Sequence, residues 1–222
     1  MFVGFDSVTS MIRGKSIAIV GSAPSCLENE RGFIDSHDVV IRVNNHKIGE
    51  AQGSRTDIHY SFYGSSIRKT PGELKREGVK LCMCKCPNSQ PIESQWHVAN
   101  GKKNGIDFRY IYELRKNWWF CDAWIPSDEE FVNSFNLLGG HIPTTGFSAI
   151  LDVLRAEPKS IYLTGFDFFS SGIHNVNEPW KKGNQNDPIC HDPKAEAKWL
   201  SENINSYPIK LDKKLSEMIG VK

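Results

Sequence analysis

Apolar residues along this chain fall into short runs broken by polar, glycine-containing stretches. "KSIAIVG" is a run ending in glycine, followed by a polar loop and a possible helix through "SCLENERGF". "DVVIRVN" and "DIHYSFYG" are β-branched or aromatic runs, and "PGELKREG" predicts a short helix leading into the strand "VKLCMCK". Later, "TGFSAILDVLRAEP" carries apolar residues at helical spacing, and "KSIYLTGFDFF" predicts a strand that leaves the core at a glycine. "HDPKAEAKWL" predicts a helix with Asp192 as N-cap and Pro193 at the first position, and "YPIKLDKKLSEMIG" a short strand and a terminal helix. Such alternation predicts an α/β domain built on a mainly parallel sheet. Residues 87–140 break the rhythm and hold Trp96, Trp118, Trp119 and Trp124. They read as an irregular aromatic-rich insert within a single domain spanning 1–222.

The 222 residues suffice for one sizeable core. A net charge of +1, with 24% charged and 39% hydrophobic residues, leaves no electrostatic footprint for nucleic acid. No apolar run approaches the roughly 20 residues of a membrane span. The first residues show no basic region, apolar core and cleavage site in succession, so the expected location is cytoplasmic. Of the six cysteines, Cys82, Cys84 and Cys86 alternate as on one face of a buried strand. That spacing is not C-x-x-C, and no metal site is expected.

Ligands of open α/β sheets bind outside the carboxyl ends of the strands. Three polar segments fall there: "GSAPS" with Ser22 and Ser25, "RVNN" with Asn44, and "GFD" with Gly165. "PTTG" (Thr144, Thr145, Gly146) opens a helix, so its hydroxyls and N–H groups can face an anion. No G-x-G-x-x-G occurs, and Gly14-Lys15-Ser16 has Thr9 where a P-loop needs its first glycine, so neither a dinucleotide fingerprint nor a P-loop is present. Singly, each segment can equally be an ordinary turn, and His191 a surface histidine beside a capped helix.

Taken in order, these segments resemble a family. "IAIVGSAPS…IDSHDVVIRVNNHKIGEAQGSRTDIHY" resembles the large sialylmotif of the family 29 sialyltransferases, and "PTTGFSAILDVLRAEPKSIYLTGFDFF" the small one. His174 resembles the histidine of the third motif, and His191 with Glu196 the His-x4-Glu of the very small motif. The matching parts cover about half the chain. The resemblance implies a single Rossmann-like, GT-A-like domain moving sialic acid from CMP-sialic acid to a glycan hydroxyl, with inversion and no metal or other cofactor. The implied partners are a nucleotide-sugar donor and a glycan acceptor. Ser22, Ser25 and Asn44 would line the nucleotide site, with Gly165 beside them; Thr144, Thr145 and Gly146 would hold CMP or the donor sugar. His174 would contact the phosphate, and His191, with Glu196 behind it, would be the general base. Chemistry fits those roles. An attacking hydroxyl must lose its proton, histidine titrates in the useful range, and a helix N-terminus disfavours imidazolium.

The chain departs from the family at Ser22, where asparagine is usual. It lacks the motif-linking cysteines of vertebrate members, since Ser16, Ile17 and Pro158 stand nearest those positions. A bacterial or viral cytosolic relative fits. The Gly-x-x-Pro-Ser turn also occurs in another family of small bacterial sialyltransferases. CMP-Kdo or another CMP-activated acidic sugar remains an alternative donor, and a catalytically inactive CMP-sugar-binding domain an alternative class. Oligomeric state is not readable.

Overall fold

The computed structural model describes residues 1–64, 67–89, 120–170 and 191–221, with the single positions 91 and 109. His174, Trp96, Trp118 and Trp119 lie outside the described residues. Among the described residues, seven parallel strands form one sheet in the order β5-β4-β3-β2-β1-β6-β7. They are β1 (Ser16–Val20), β2 (Val39–Val43), β3 (Ile58–Ser61), β4 (Leu81–Cys84), β5 (Asp122–Trp124), β6 (Ser160–Thr164) and β7 (Ile209–Leu211). The described helices are α1 (Phe5–Ile12), α2 (Pro71–Arg76), α3 (Asp128–Leu137), α4 (Thr145–Arg155), α5 (Pro193–Asn203) and α6 (Lys213–Ile219).

The central strands are apolar on both faces because the sheet is covered on both. In β1, Ile17 and Ile19 join the main core, while Ala18 and Val20 join a smaller cluster with Cys26, Ile34 and Val40 on the other side. The main core closes with Val8 and Ile12 of α1, Ile150 and Val153 of α4, and Leu200 of α5. Each fully buried aliphatic side chain there contributes roughly 1.5–3 kcal/mol. Helix starts are locally encoded. Thr70 with Glu73 and Ser127 with Glu130 form capping boxes, and Asp192 accepts the N–H groups of Lys194 and Ala195.

Two sequence expectations change. The stretch 25–33 is not an α-helix: its start belongs to a single 3-10 turn over Pro24–Leu27. Asn29 ends that turn, because its amide donates to the Cys26 carbonyl at 3.0 Å and to Thr164 Oγ1 at 3.2 Å. The stretch 87–140 is not irregular throughout, since 122–137 supplies edge strand β5 and helix α3. Residues 92–108 and 110–119 of the expected insert lie outside the described residues. Helix α1 has only two buried positions and carried no clear signal among its polar neighbours. Cys82, Cys84 and Cys86 are buried in one apolar cluster with Tyr63 and Leu74.

Candidate functional site

The sheet winds outward in one direction from β1 through β5 and in the other through β6 and β7, so the winding reverses between β1 and β6. A crevice opens at such a reversal. Here the two strand exits are in backbone contact: Gly21 N donates to Thr164 O at 2.8 Å and Ala23 N to Gly165 O at 2.9 Å. A Cβ on Gly21 would lie 2.2 Å from the Gly165 oxygen. Gly165 has φ +76°, and its N–H is taken by Ser25 Oγ at 3.2 Å and Asp212 Oδ2 at 3.1 Å.

Above this contact lies an open cleft with about 730 Å³ of empty space up to and including its mouth. Ser22, Asn44, Thr144, Thr145, Gly146, Gly165, His191 and Glu196 all line it. Ser25 does not. It is buried beneath the cleft and acts on Gly165 from behind.

Asn44 sits in the left-handed region at φ +51°, which asparagine tolerates better than most residues. Its Oδ1 accepts the Ser61 hydroxyl at 3.0 Å and the Phe62 N–H at 3.4 Å, which leaves the amide NH2 as the group for a ligand. Its backbone carbonyl accepts from His59 Nε2 at 2.9 Å, and His59 Nδ1 lies 2.9 Å from the Tyr63 hydroxyl. Desolvation holds His59 down at about 3, so the ring is neutral in the folded protein. Below about pH 6.5 the unfolded ring gains a proton that the folded one refuses, so this group costs stability as pH falls toward 3. His59→Gln is therefore expected to lose less stability than the parent between pH 7 and pH 4, as read by urea unfolding. An equal loss would contradict a neutral, buried His59.

Helix α4 begins at the cleft. Thr144 caps it by accepting the Phe147 N–H at 3.2 Å. The N–H groups of Thr145 and Gly146 have no hydrogen-bond partner among the described residues. They and the helix dipole present positive potential to the cleft. A Cβ on Gly146 would meet the Phe166 ring at 2.5 Å, so glycine lets that ring pack over the helix start.

The stretch 191–196 grips this helix start at two points. His191 Nδ1 lies 2.6 Å from the Ile142 carbonyl, which can only accept. Nδ1 therefore carries the hydrogen, and Nε2 carries the lone pair of the neutral ring. Glu196 is 1% exposed and accepts from Thr144 twice, from the backbone N–H at 2.5 Å and the hydroxyl at 2.8 Å. Burial raises its carboxyl to about 7 against the pull of those donors. Glu196 thus acts as a positioning residue that ties α5 to α4.

Sequence reasoning missed the aromatic wall of Phe166, Phe168 and Phe169. Phe168 and Phe169 both have positive φ, a costly conformation for bulky residues that singles out this turn. The available signal was "GFDFF" itself, with three aromatics directly after a strand-ending glycine. Among the described residues no three His, Cys, Asp or Glu side chains converge on a common point as metal ligands would. No described helix is long and apolar enough to cross a membrane.

No protein-family model matches the chain, and no curated protein does. Solved structures do. A mammalian sialyltransferase aligns with a TM-score of 0.58 and 21% identity over 90% of this chain and 69% of its own. The sialyltransferase CstII from Campylobacter jejuni, in complex with cytidine-5'-monophosphate, aligns with a TM-score of 0.55 and 18% identity over 94% and 85%. The same enzyme with a trisaccharide acceptor and CMP gives 0.55 and 20% over 93% and 86%. The likeness is one of architecture, and on it the chain has the sialyltransferase fold.

Proposed function

We propose that this protein is an inverting glycosyltransferase that moves sialic acid from CMP-sialic acid to a glycan hydroxyl without a metal. One observation carries the reading. His191, with its Nδ1 proton engaged by Ile142, shares a cleft at the strand-order reversal with the amino end of α4. In the proposed reaction the acceptor oxygen attacks the anomeric carbon from the face opposite the nucleotide. His191 Nε2 takes the hydroxyl proton, and the bond from the anomeric carbon to the phosphate oxygen breaks, releasing CMP. The N–H groups of Thr145 and Gly146 offer hydrogen bonds to an anionic group of the donor. The sequence resemblance gives the phosphate to His174. Asn44 and Ser22 line the side of the cleft given to the nucleotide.

Calorimetry with CMP, CDP, UDP and GDP tests the nucleotide. CMP is expected to bind, and UDP and GDP at least about 10-fold more weakly; comparable binding of either would sink the family reading. Transfer assays with CMP-sialic acid and CMP-Kdo then separate the donors. Turnover is expected to be unchanged in excess EDTA, because backbone N–H groups and a histidine take the charge that a cation otherwise balances. Lost activity that returns with added manganese or magnesium would refute that.

A further inference from the structure

Two sulfur atoms away from the cleft residues are in contact. Cys82 Sγ on β4 lies 3.5 Å from Cys121 Sγ, just before β5. Their surroundings differ. Cys82 is wholly buried in the cluster with Tyr63, Cys84 and Ala123, while Cys121 is the one cysteine among the described residues that is not buried. A disulfide needs the sulfurs at about 2.05 Å, so closing the gap takes about 1.5 Å of movement. Cys121 can supply it. Strand β5 is three residues long and is the last strand of the sheet, paired on its outer side only with Met1–Val3, whereas β4 is held between β3 and β5.

We infer that Cys82 and Cys121 form a reversible dithiol–disulfide pair, oxidised by low-molecular-weight disulfides such as glutathione disulfide. The Cys121 thiolate attacks one sulfur of the oxidant. A bond forms between them, the oxidant's S–S bond breaks, and the departing thiolate takes up the proton that Cys121 lost. Cys82 then attacks the Cys121 sulfur and expels the second thiolate, which receives the Cys82 proton. Two protein thiols and one disulfide thus become one protein disulfide and two small thiols. The division of labour follows exposure: Cys121 meets the oxidant, and Cys82 needs only to reach its neighbour. Their contact acts the same way. It holds the Cys121 thiol below its ordinary value and pushes the Cys82 thiol up, which favours Cys121 as the first thiolate.

The bridge would pin the edge strand to the sheet beside Tyr63, whose hydroxyl also contacts His59. The test treats the full chain with glutathione disulfide, quenches with an alkylating agent at intervals, and follows intact mass and peptide maps. A transient glutathione adduct on Cys121 is expected first. A species lighter than the starting protein by two hydrogens follows, with its bridge mapped to Cys82 and Cys121. Cys82→Ser is expected to stop at the Cys121 adduct, and Cys121→Ser to slow adduct formation about 10-fold or more. The parent protein alone decides the matter, so misfolding of a variant leaves the test intact. A stable adduct with no bridge, a bridge through Cys190 or another cysteine, or no reaction at all would overturn the inference.

Discussion

His191→Ala is expected to lower turnover by about 100-fold or more, the usual scale for removing a general base, while CMP affinity stays nearly unchanged. The split follows from geometry. The ring donates from Nδ1 to the Ile142 carbonyl, so in the neutral ring the lone pair that can take a proton is on Nε2. The anion-facing N–H groups belong to Thr145 and Gly146, which the substitution does not remove. His174→Ala is expected to behave differently, weakening CMP binding as well as slowing transfer, because its proposed partner is the phosphate. Turnover and the CMP dissociation constant should be measured for both variants, with folding checked by circular dichroism. Wild-type turnover in His191→Ala would reduce that residue to a prop for the 142–144 segment.

The chemistry-bearing ends of strands were legible because a parallel sheet writes each strand as a short apolar run ending in small or polar residues. That pattern located Ser22, Asn44 and Gly165, while a helix start and the His-x4-Glu resemblance pointed to Thr144 and His191, and the fold brings all five to one cleft. Less legible was the division of labour inside the motif stretches. Asp35 holds Ser54 through its N–H and hydroxyl, Arg55 reaches Asp57 and the His37 carbonyl, and Arg42 donates to the Arg55 carbonyl at 3.0 Å. These polar residues knot the loops behind β2 and leave the cleft to their neighbours. Ser25 belongs with them, acting on the cleft through the Gly165 N–H, and Glu196, which lines the cleft, spends both carboxylate oxygens on Thr144. A sequence shows that such residues are polar; only packing shows which way their atoms face. Strand β5 and helix α3 were missed for another reason. Three residues at a sheet edge carry too short a pattern to stand out among aromatics, and α3 buries only Phe131 on its inner face.

Gly165→Ala and Gly14→Ala are expected to differ sharply, although both glycines have nearly the same positive φ. Gly14 lies at φ +70° and Gly165 at φ +76°, so placing alanine there costs each about 1–2 kcal/mol in backbone strain. Around Gly14 nothing lies within 4 Å of the added carbon. At Gly165 that carbon would sit 2.8 Å from the carbonyl carbon and oxygen of Gly21 and 2.8 Å from Cys26 Cβ. None of these is the far end of a flexible side chain, so the β1 and β6 exits must separate. Overpacking of this kind typically adds about 1–3 kcal/mol. Urea unfolding should therefore rank Gly165→Ala about 1–3 kcal/mol below Gly14→Ala. CMP binding should fall in Gly165→Ala alone, since the contact between the two exits forms the floor of the cleft. Equal stabilities for the two variants would show that the strand exits are not in close contact, and the cleft would need another floor.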